Sequence, residues 1–101
     1  MEGADVIRSQ VRVTPEDGLH LRPISTLVRK ATTFSSSISL TFDGRTADVK
    51  SAFDLMLLAA PCGAVLSLDV SGPDAPEASA AILELFEQGF VISGLTPGQG
   101  L

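Results

Sequence analysis

Ile38-Ser39-Leu40-Thr41-Phe42-Asp43-Gly44-Arg45-Thr46-Ala47-Asp48-Val49 is the stretch that decides the fold. Ile38, Leu40 and Phe42 alternate with Ser39 and Thr41, and Ala47 and Val49 resume the alternation after Asp43-Gly44. A period of two places every apolar side chain on one side of a strand. Asp-Gly between two such runs accepts the positive φ angles of a tight reversal, so the segment predicts a hairpin. Each strand offers one apolar face, which requires a cover on that side and leaves the other in water.

Outward from the hairpin, the same reading predicts both strands and helices. Ile7, Val11 and Val13 share a parity opposite to Arg8, Gln10 and Arg12, which predicts a strand over residues 6–13. Ile24, Leu27, Val28, Ala31 and Phe34 recur at helical spacing, predicting an amphipathic helix over residues 23–33 with Pro23 in its first turn. Ser51-Ala52-Phe53-Asp54 has the S-x-x-D form of a helix start, and Pro61 and Gly63 should stop that short apolar helix near Ala60. Ala64, Leu66, Leu68 and Val70 mark one face of a fourth strand. Asp74 is a candidate N-cap for a last helix ending near Gly89, with Ala78, Ala81, Ile82 and Leu85 as its buried stripe. The predicted order is β-α-β-β-α-β-α, an α+β fold with a four-stranded, mainly antiparallel sheet and three helices on one face. Residues 1–92 are expected to form one domain, and residues 93–101 a flexible C-terminal tail.

Composition narrows the function. A chain of 101 residues that is 45% hydrophobic supports one core, burying roughly two-thirds of the surface exposed when unfolded. Cys62 is the only cysteine, so no internal disulfide forms and a reducing, cytoplasmic setting is expected. The acidic start, Met1-Glu2-Gly3-Ala4-Asp5, lacks the order of a secretory signal, and the greasiest segment, broken by Pro61 and Gly63, is too short for membrane insertion. The net charge is −5, but all seven bases lie in the first fifty positions, against six acids there. Beyond Lys50 there are six acids and no base. An acidic half of this kind argues against nucleic-acid binding, whereas a small basic patch suits docking to acidic protein surfaces. The sequence contains no metal-ligand cluster, P-loop or dinucleotide fingerprint, and no cofactor is expected.

The chain's single histidine lies in Asp17-Gly18-Leu19-His20-Leu21-Arg22-Pro23, directly before the first helical stripe. An imidazole, a guanidinium and the open amides of a helix start are together there, which is what a transient phosphoryl group on nitrogen requires. The motif resembles the active-site signature of HPr, the histidine-containing phosphocarrier of the phosphoenolpyruvate-dependent phosphotransferase system. The resemblance runs from about Val6 to Gly89 and includes the Asp43-Gly44 hairpin, the Lys50-Ser51 pair, Leu58 and Gly63. It implies an HPr-like open-faced β-sandwich and a relay that forms phosphohistidine rather than a turnover enzyme. A phosphoryl group would pass from Enzyme I to Nδ1 of His20, and then to an EIIA-type domain in sugar uptake.

The resemblance assigns roles that physical chemistry can support. Phosphoryl transfer depends on positioning and charge neutralisation more than on covalent help. Arg22 would stabilise the phosphoryl group with a fixed positive fork, and the Leu21 and Arg22 amides would bind its oxygens. Arg29, two turns along the same helix face, either extends the docking patch or is merely solvated. Ser51 has two compatible readings, as a helix cap and as the serine that HPr kinase/phosphorylase modifies in some relatives. Phe53, Met56 and Leu57 exceed what one buried face needs, so part of that set is expected to form an exposed patch for Enzyme I and EIIA partners. Lys50 is either a recognition neighbour or a solubilising strand end, and Cys62 a small loop or core residue. Asp17 either repels an added phosphoryl group or orients the imidazole. A monomer is expected. Two other functions fit the same chain: a noncatalytic HPr-like regulatory interaction domain, and the carrier of a nitrogen-related regulatory phosphorelay.

Overall fold

The computed structural model describes residues 6–90, so the expected tail at residues 93–101 lies outside the described residues. Seven elements follow in the predicted order: β1 (Val6–Arg12), α1 (Leu21–Ala31), β2 (Ser37–Phe42), β3 (Arg45–Asp48), α2 (Ala52–Leu58), β4 (Val65–Ser71) and α3 (Ala75–Glu87). The four strands form one sheet in the order β1-β4-β2-β3, and every pairing is antiparallel. Leu40 stands opposite both Ala47 and Leu68, and Val11 opposite Leu66, so the apolar parities of all four strands coincide on one side. Phe42 pairs with Arg45 across Asp43 and Gly44, whose φ angles of 54° and 77° make the two-residue loop that Asp-Gly predicts.

Ile38, Leu40, Leu66, Leu68 and Val70 are fully buried beneath the helices. Each such side chain contributes roughly 1.5–3 kcal/mol relative to exposure. α3 packs on β1, β4 and β2, and α2 on β3, while α1 is held against α2 and α3. The opposite sheet face is mainly polar: Arg8 pairs with Asp69 at 3.0 Å, and the hydroxyls of Thr41 and Thr46 meet at 2.9 Å, with Val6 and Val65 exposed at its margins.

Three boundaries differ from the expectation, each for a local reason. α1 spans Leu21–Ala31, two residues earlier at both ends than predicted. Proline is tolerated anywhere in a first turn, so Pro23 does not mark its first residue. At the other end the Thr32 and Thr33 hydroxyls bond back to the Arg29 and Lys30 carbonyls, at 3.0 and 2.7 Å, competing with further helix. α2 ends at Leu58, short of Ala60: Ala59 closes the helix in the left-handed region at φ 52°, its N–H on the Met56 carbonyl, and Ala60, which precedes Pro61, disfavours helical backbone. In α3 the buried stripe is Ala75, Ala78, Ser79, Ile82, Leu85 and Phe86, and Ala81 is only half-buried. Ala78, Ile82 and Leu85 are buried as predicted, while Ser79 takes the place expected of Ala81 and Ala75 and Phe86 extend the stripe at helical spacing. The helix closes as a Schellman turn, with Phe90 N–H donating to the Leu85 carbonyl at 2.8 Å and Gly89 N–H to Phe86 at 3.2 Å. The Phe90 ring then packs edge-on against Phe86 at 4.8 Å.

Candidate phosphoryl-accepting site

His20 is the N-cap residue of α1, in extended conformation (φ −97°, ψ −168°) and exposed to solvent. Its carbonyl accepts the Ile24 amide at 3.1 Å, the first bond of the helix ladder. Its side chain makes no capping bond, and the first turn contains no acid. Pro23 has no N–H, so Leu21 and Arg22 carry the two open amides of this helix start. Among the described residues no hydrogen bond claims either of them. The positive end of the helix dipole thus lies at the residue that bears the imidazole.

The backbone before His20 is held from outside by the loop that follows α2. Leu19 N–H donates to the Ala60 carbonyl at 2.9 Å, Gly63 N–H to Val13 at 2.7 Å, and Val13 N–H to Ala64 at 2.9 Å. Leu19 is buried and anchors the loop to the core. Gly18 lies at φ 75°, where a Cβ would come within 2.6 Å of the Ala60 carbonyl oxygen and 2.9 Å of Pro61 Cα. Only glycine lets the two loops approach this closely. Cys62 is exposed in the supporting loop, its Sγ 3.6 Å from the Thr14 carbonyl, in keeping with its expected loop role.

Arg22 lies in the first turn, one residue beyond Leu21, and is exposed. Its carbonyl accepts the Thr26 hydroxyl at 3.2 Å, while no described hydrogen bond holds its guanidinium. The fork is therefore able to swing toward a group on His20. Arg29 and Lys30, in the last turn of α1, complement the negative end of that helix. With Thr26 and Thr33 they line one wall of an open cleft of about 350 Å³ against Glu84, Leu85 and Gln88 of α3.

The start of α2 is built differently. The Ser51 hydroxyl accepts the Asp54 amide at 3.2 Å, and Asp54 Oδ2 accepts the Asp48 amide at 3.2 Å. The capping reading of Ser51 is thereby realised. On the outer face of α2, Phe53 is 69% exposed, Met56 55% and Leu57 57%, so all three members of the predicted patch face solvent. Leu55 and Leu58 supply the buried side. Leu21 adds a further exposed apolar side chain on the neighbouring helix. Lys50 is half-buried rather than fully solvated: its ammonium donates to the Phe34 carbonyl at 2.8 Å and ties the segment after α1 to the segment after β3.

Asp74 is the feature that local sequence reading misses. It occupies the N-cap position of α3 but makes no side-chain bond to that helix. Its carboxylate instead accepts the Ser35 and Ser36 amides, each at 2.9 Å, and the Ser36 hydroxyl. That hydroxyl bond, followed by the Ser35 amide, holds the Asp74 carboxyl below the usual carboxylate range. The partners are 38 and 39 residues away, and no sequence period links them.

The family model described as "PTS HPr component phosphorylation site" matches residues 7–88. The phosphocarrier protein HPr of Vibrio cholerae is 38% identical over 79 residues, covering 78% of this chain and 93% of that one. HPr of Treponema pallidum is 41% identical over 80 residues, covering 79% and 91%. Among solved structures, HPr-C-His from Thermoanaerobacter tengcongensis superposes with a TM-score of 0.80 at 32% identity, covering 83% of this chain and 94% of that one. HPr from Bacillus anthracis gives 0.76 at 31%, covering 80% and 96%. A match that spans all seven elements, with the relatives covered almost end to end, places the chain in the HPr family of the phosphotransferase system.

Proposed function

We propose that this chain is a phosphocarrier that accepts a phosphoryl group from phosphorylated Enzyme I on His20 and passes it to an EIIA-type domain. The observation that carries the reading is the helix start itself: an exposed, uncapped imidazole beside two amides and an arginine that have no partner among the described residues. The bond to the donor breaks as a bond forms to Nδ1, while the imidazole keeps its hydrogen on the other ring nitrogen. The Leu21 and Arg22 amides receive the phosphoryl oxygens, and the Arg22 guanidinium offsets their charge. Phe53, Met56 and Leu57 form the apolar part of the docking surface, and Arg29 its basic margin. Residues 1–92 act as one unit in this reading, with residues 93–101 an appendage.

Ser51 extends the resemblance to regulation by HPr kinase/phosphorylase. Its half-buried hydroxyl lies at the positive end of α2, which favours a phosphate, while Asp54 in the first turn opposes it. New charge there would stand beside the apolar patch and weaken docking.

Purified protein mixed with Enzyme I and phosphoenolpyruvate is expected to gain one acid-labile phosphate, read by intact-mass spectrometry under alkaline conditions. His20→Ala abolishes the gain. An unchanged mass with a demonstrably active cognate Enzyme I would favour the regulatory interaction domain instead.

A further inference from the structure

We propose that the carboxylates of Glu16 and Asp17 weaken the hold of His20 on its phosphoryl group and so make the phosphorylated chain a stronger donor. The inference rests on His20 being the acceptor and concerns how readily that acceptor gives the group up.

Both side chains are exposed at the tip of a turn closed by the Gly18 N–H bond to the Pro15 carbonyl at 2.9 Å. Among the described residues, neither carboxylate has an ion-pair partner. The turn is not free to carry its charge away from the imidazole. Gly18 is pressed against the Ala60 carbonyl and Pro61, and Leu19 is tethered to Ala60 at 2.9 Å. A second short turn, His20 N–H to the Gly18 carbonyl at 2.9 Å, connects the anchored glycine to the acceptor. Three peptide units separate Asp17 from His20, which limits their Cα atoms to about 11 Å.

A phosphoryl group brings about two negative charges into this setting. Through water at such separations, each carboxylate disfavours the phosphorylated state by about three- to fivefold at low ionic strength. Arg22 and the two amides act in the opposite sense. The site therefore holds the group against a standing repulsion, and the phosphoryl-transfer potential is set by the balance. The unphosphorylated chain has no phosphoryl charge for the carboxylates to oppose, so this repulsion falls on the phosphorylated state alone. A carboxylate that served to orient the imidazole would act the other way, since its loss would weaken phosphorylation.

The test measures the equilibrium distribution of phosphate between Enzyme I and the full chain, for wild type, Glu16→Gln, Asp17→Asn, the double variant and Asp17→Glu. Asp17→Asn and Glu16→Gln are each expected to shift the distribution about three- to fivefold toward the phosphorylated chain at low salt. Asp17→Glu should leave it in place, and near 1 M salt the shifts should collapse toward unity. A double variant that is phosphorylated but distributes within twofold of wild type at low salt overturns the proposal. So does a shift toward the unphosphorylated chain, which would assign Asp17 to orienting the ring. A wild-type chain that takes up no phosphate defeats the carrier reading and this inference together, an outcome distinct from normal uptake with an unmoved equilibrium.

Discussion

At the start of α2 the Ser51 hydroxyl takes up the Asp54 amide, the Asp54 carboxylate takes up the Asp48 amide, and an acid lies in the first turn. At the start of α1 the N-cap residue is an exposed histidine with no capping bond, no acid follows, and one position is a proline with no amide to offer. The two helices neighbour one another on the same face of the sheet. α2 satisfies its own terminus, whereas α1 leaves its donors and dipole open at the residue where negative charge would arrive. The order that a cap would give α1 comes instead from Ala60, Pro61 and Gly63, across the chain. The terminus proposed to receive the phosphoryl group and the self-capped terminus thus differ in where their order originates.

The largest expected effect breaks that outside support. Gly18→Ala places a Cβ against the Ala60 carbonyl and Pro61 Cα at a φ that L-residues rarely adopt. Left-handed strain and overpacking together should cost about 3 kcal/mol. Gly44→Ala provides the control, since its φ is 77° but nothing lies within 4 Å of the added carbon. Strain alone there should cost about 1 kcal/mol. Urea denaturation of both variants separates the two contributions, and equal losses would show that the loop contact holds nothing in place.

A smaller effect sharpens the contrast between the two caps. Ser51→Ala should destabilise the protein by about 1 kcal/mol through loss of the Asp54 amide's partner, lowering Tm by about 4–8 °C in a domain of this size. His20→Ala should stay within about 0.5 kcal/mol of wild type, because its side chain caps nothing. Thermal melts of the two variants test this directly. A loss at His20 matching that at Ser51 would mean that the imidazole is a structural cap.

Most of the architecture was legible because it is written in short-range periods. Ile38, Leu40 and Phe42 with Asp43-Gly44 define the hairpin without knowledge of any partner, and Ser51 with Asp54 marks a helix start that the structure reproduces. Residues 18–23 are contiguous, so a helix start keeps the imidazole, guanidinium and open amides together by chain connectivity alone. What was not legible depends on contacts between distant segments. The Ala60 carbonyl that holds Leu19 is a backbone group, and any residue could supply it. Lys50 resembles any strand-end lysine until its ammonium is seen on the Phe34 carbonyl. Asp74 has the composition of an N-cap, and only the position of the Ser35-Ser36 turn diverts its carboxylate from α3.

That third helix start adds the last and smallest test of the comparison. The Asp74 carboxyl titrates below its usual range in the folded chain because the Ser36 hydroxyl and the Ser35 amide bond to its charged form. An unfolded aspartate titrates near about pH 3.9. The interaction therefore contributes fully above that value and is lost as pH falls through the lowered folded value. Stability that depends on Asp74 should disappear below about pH 4, while near neutrality it is constant. Asp74→Asn removes the ionisable group, so its melting temperature should start lower at pH 7 and fall less steeply than that of wild type between pH 5 and pH 3. Circular-dichroism melts across that interval would read the difference, and parallel acid profiles would show that the carboxylate holds the Ser35-Ser36 turn no better than a neutral amide. Convergence of the two curves at low pH would instead confirm that this terminus, unlike that of α1, spends its charge inside the fold.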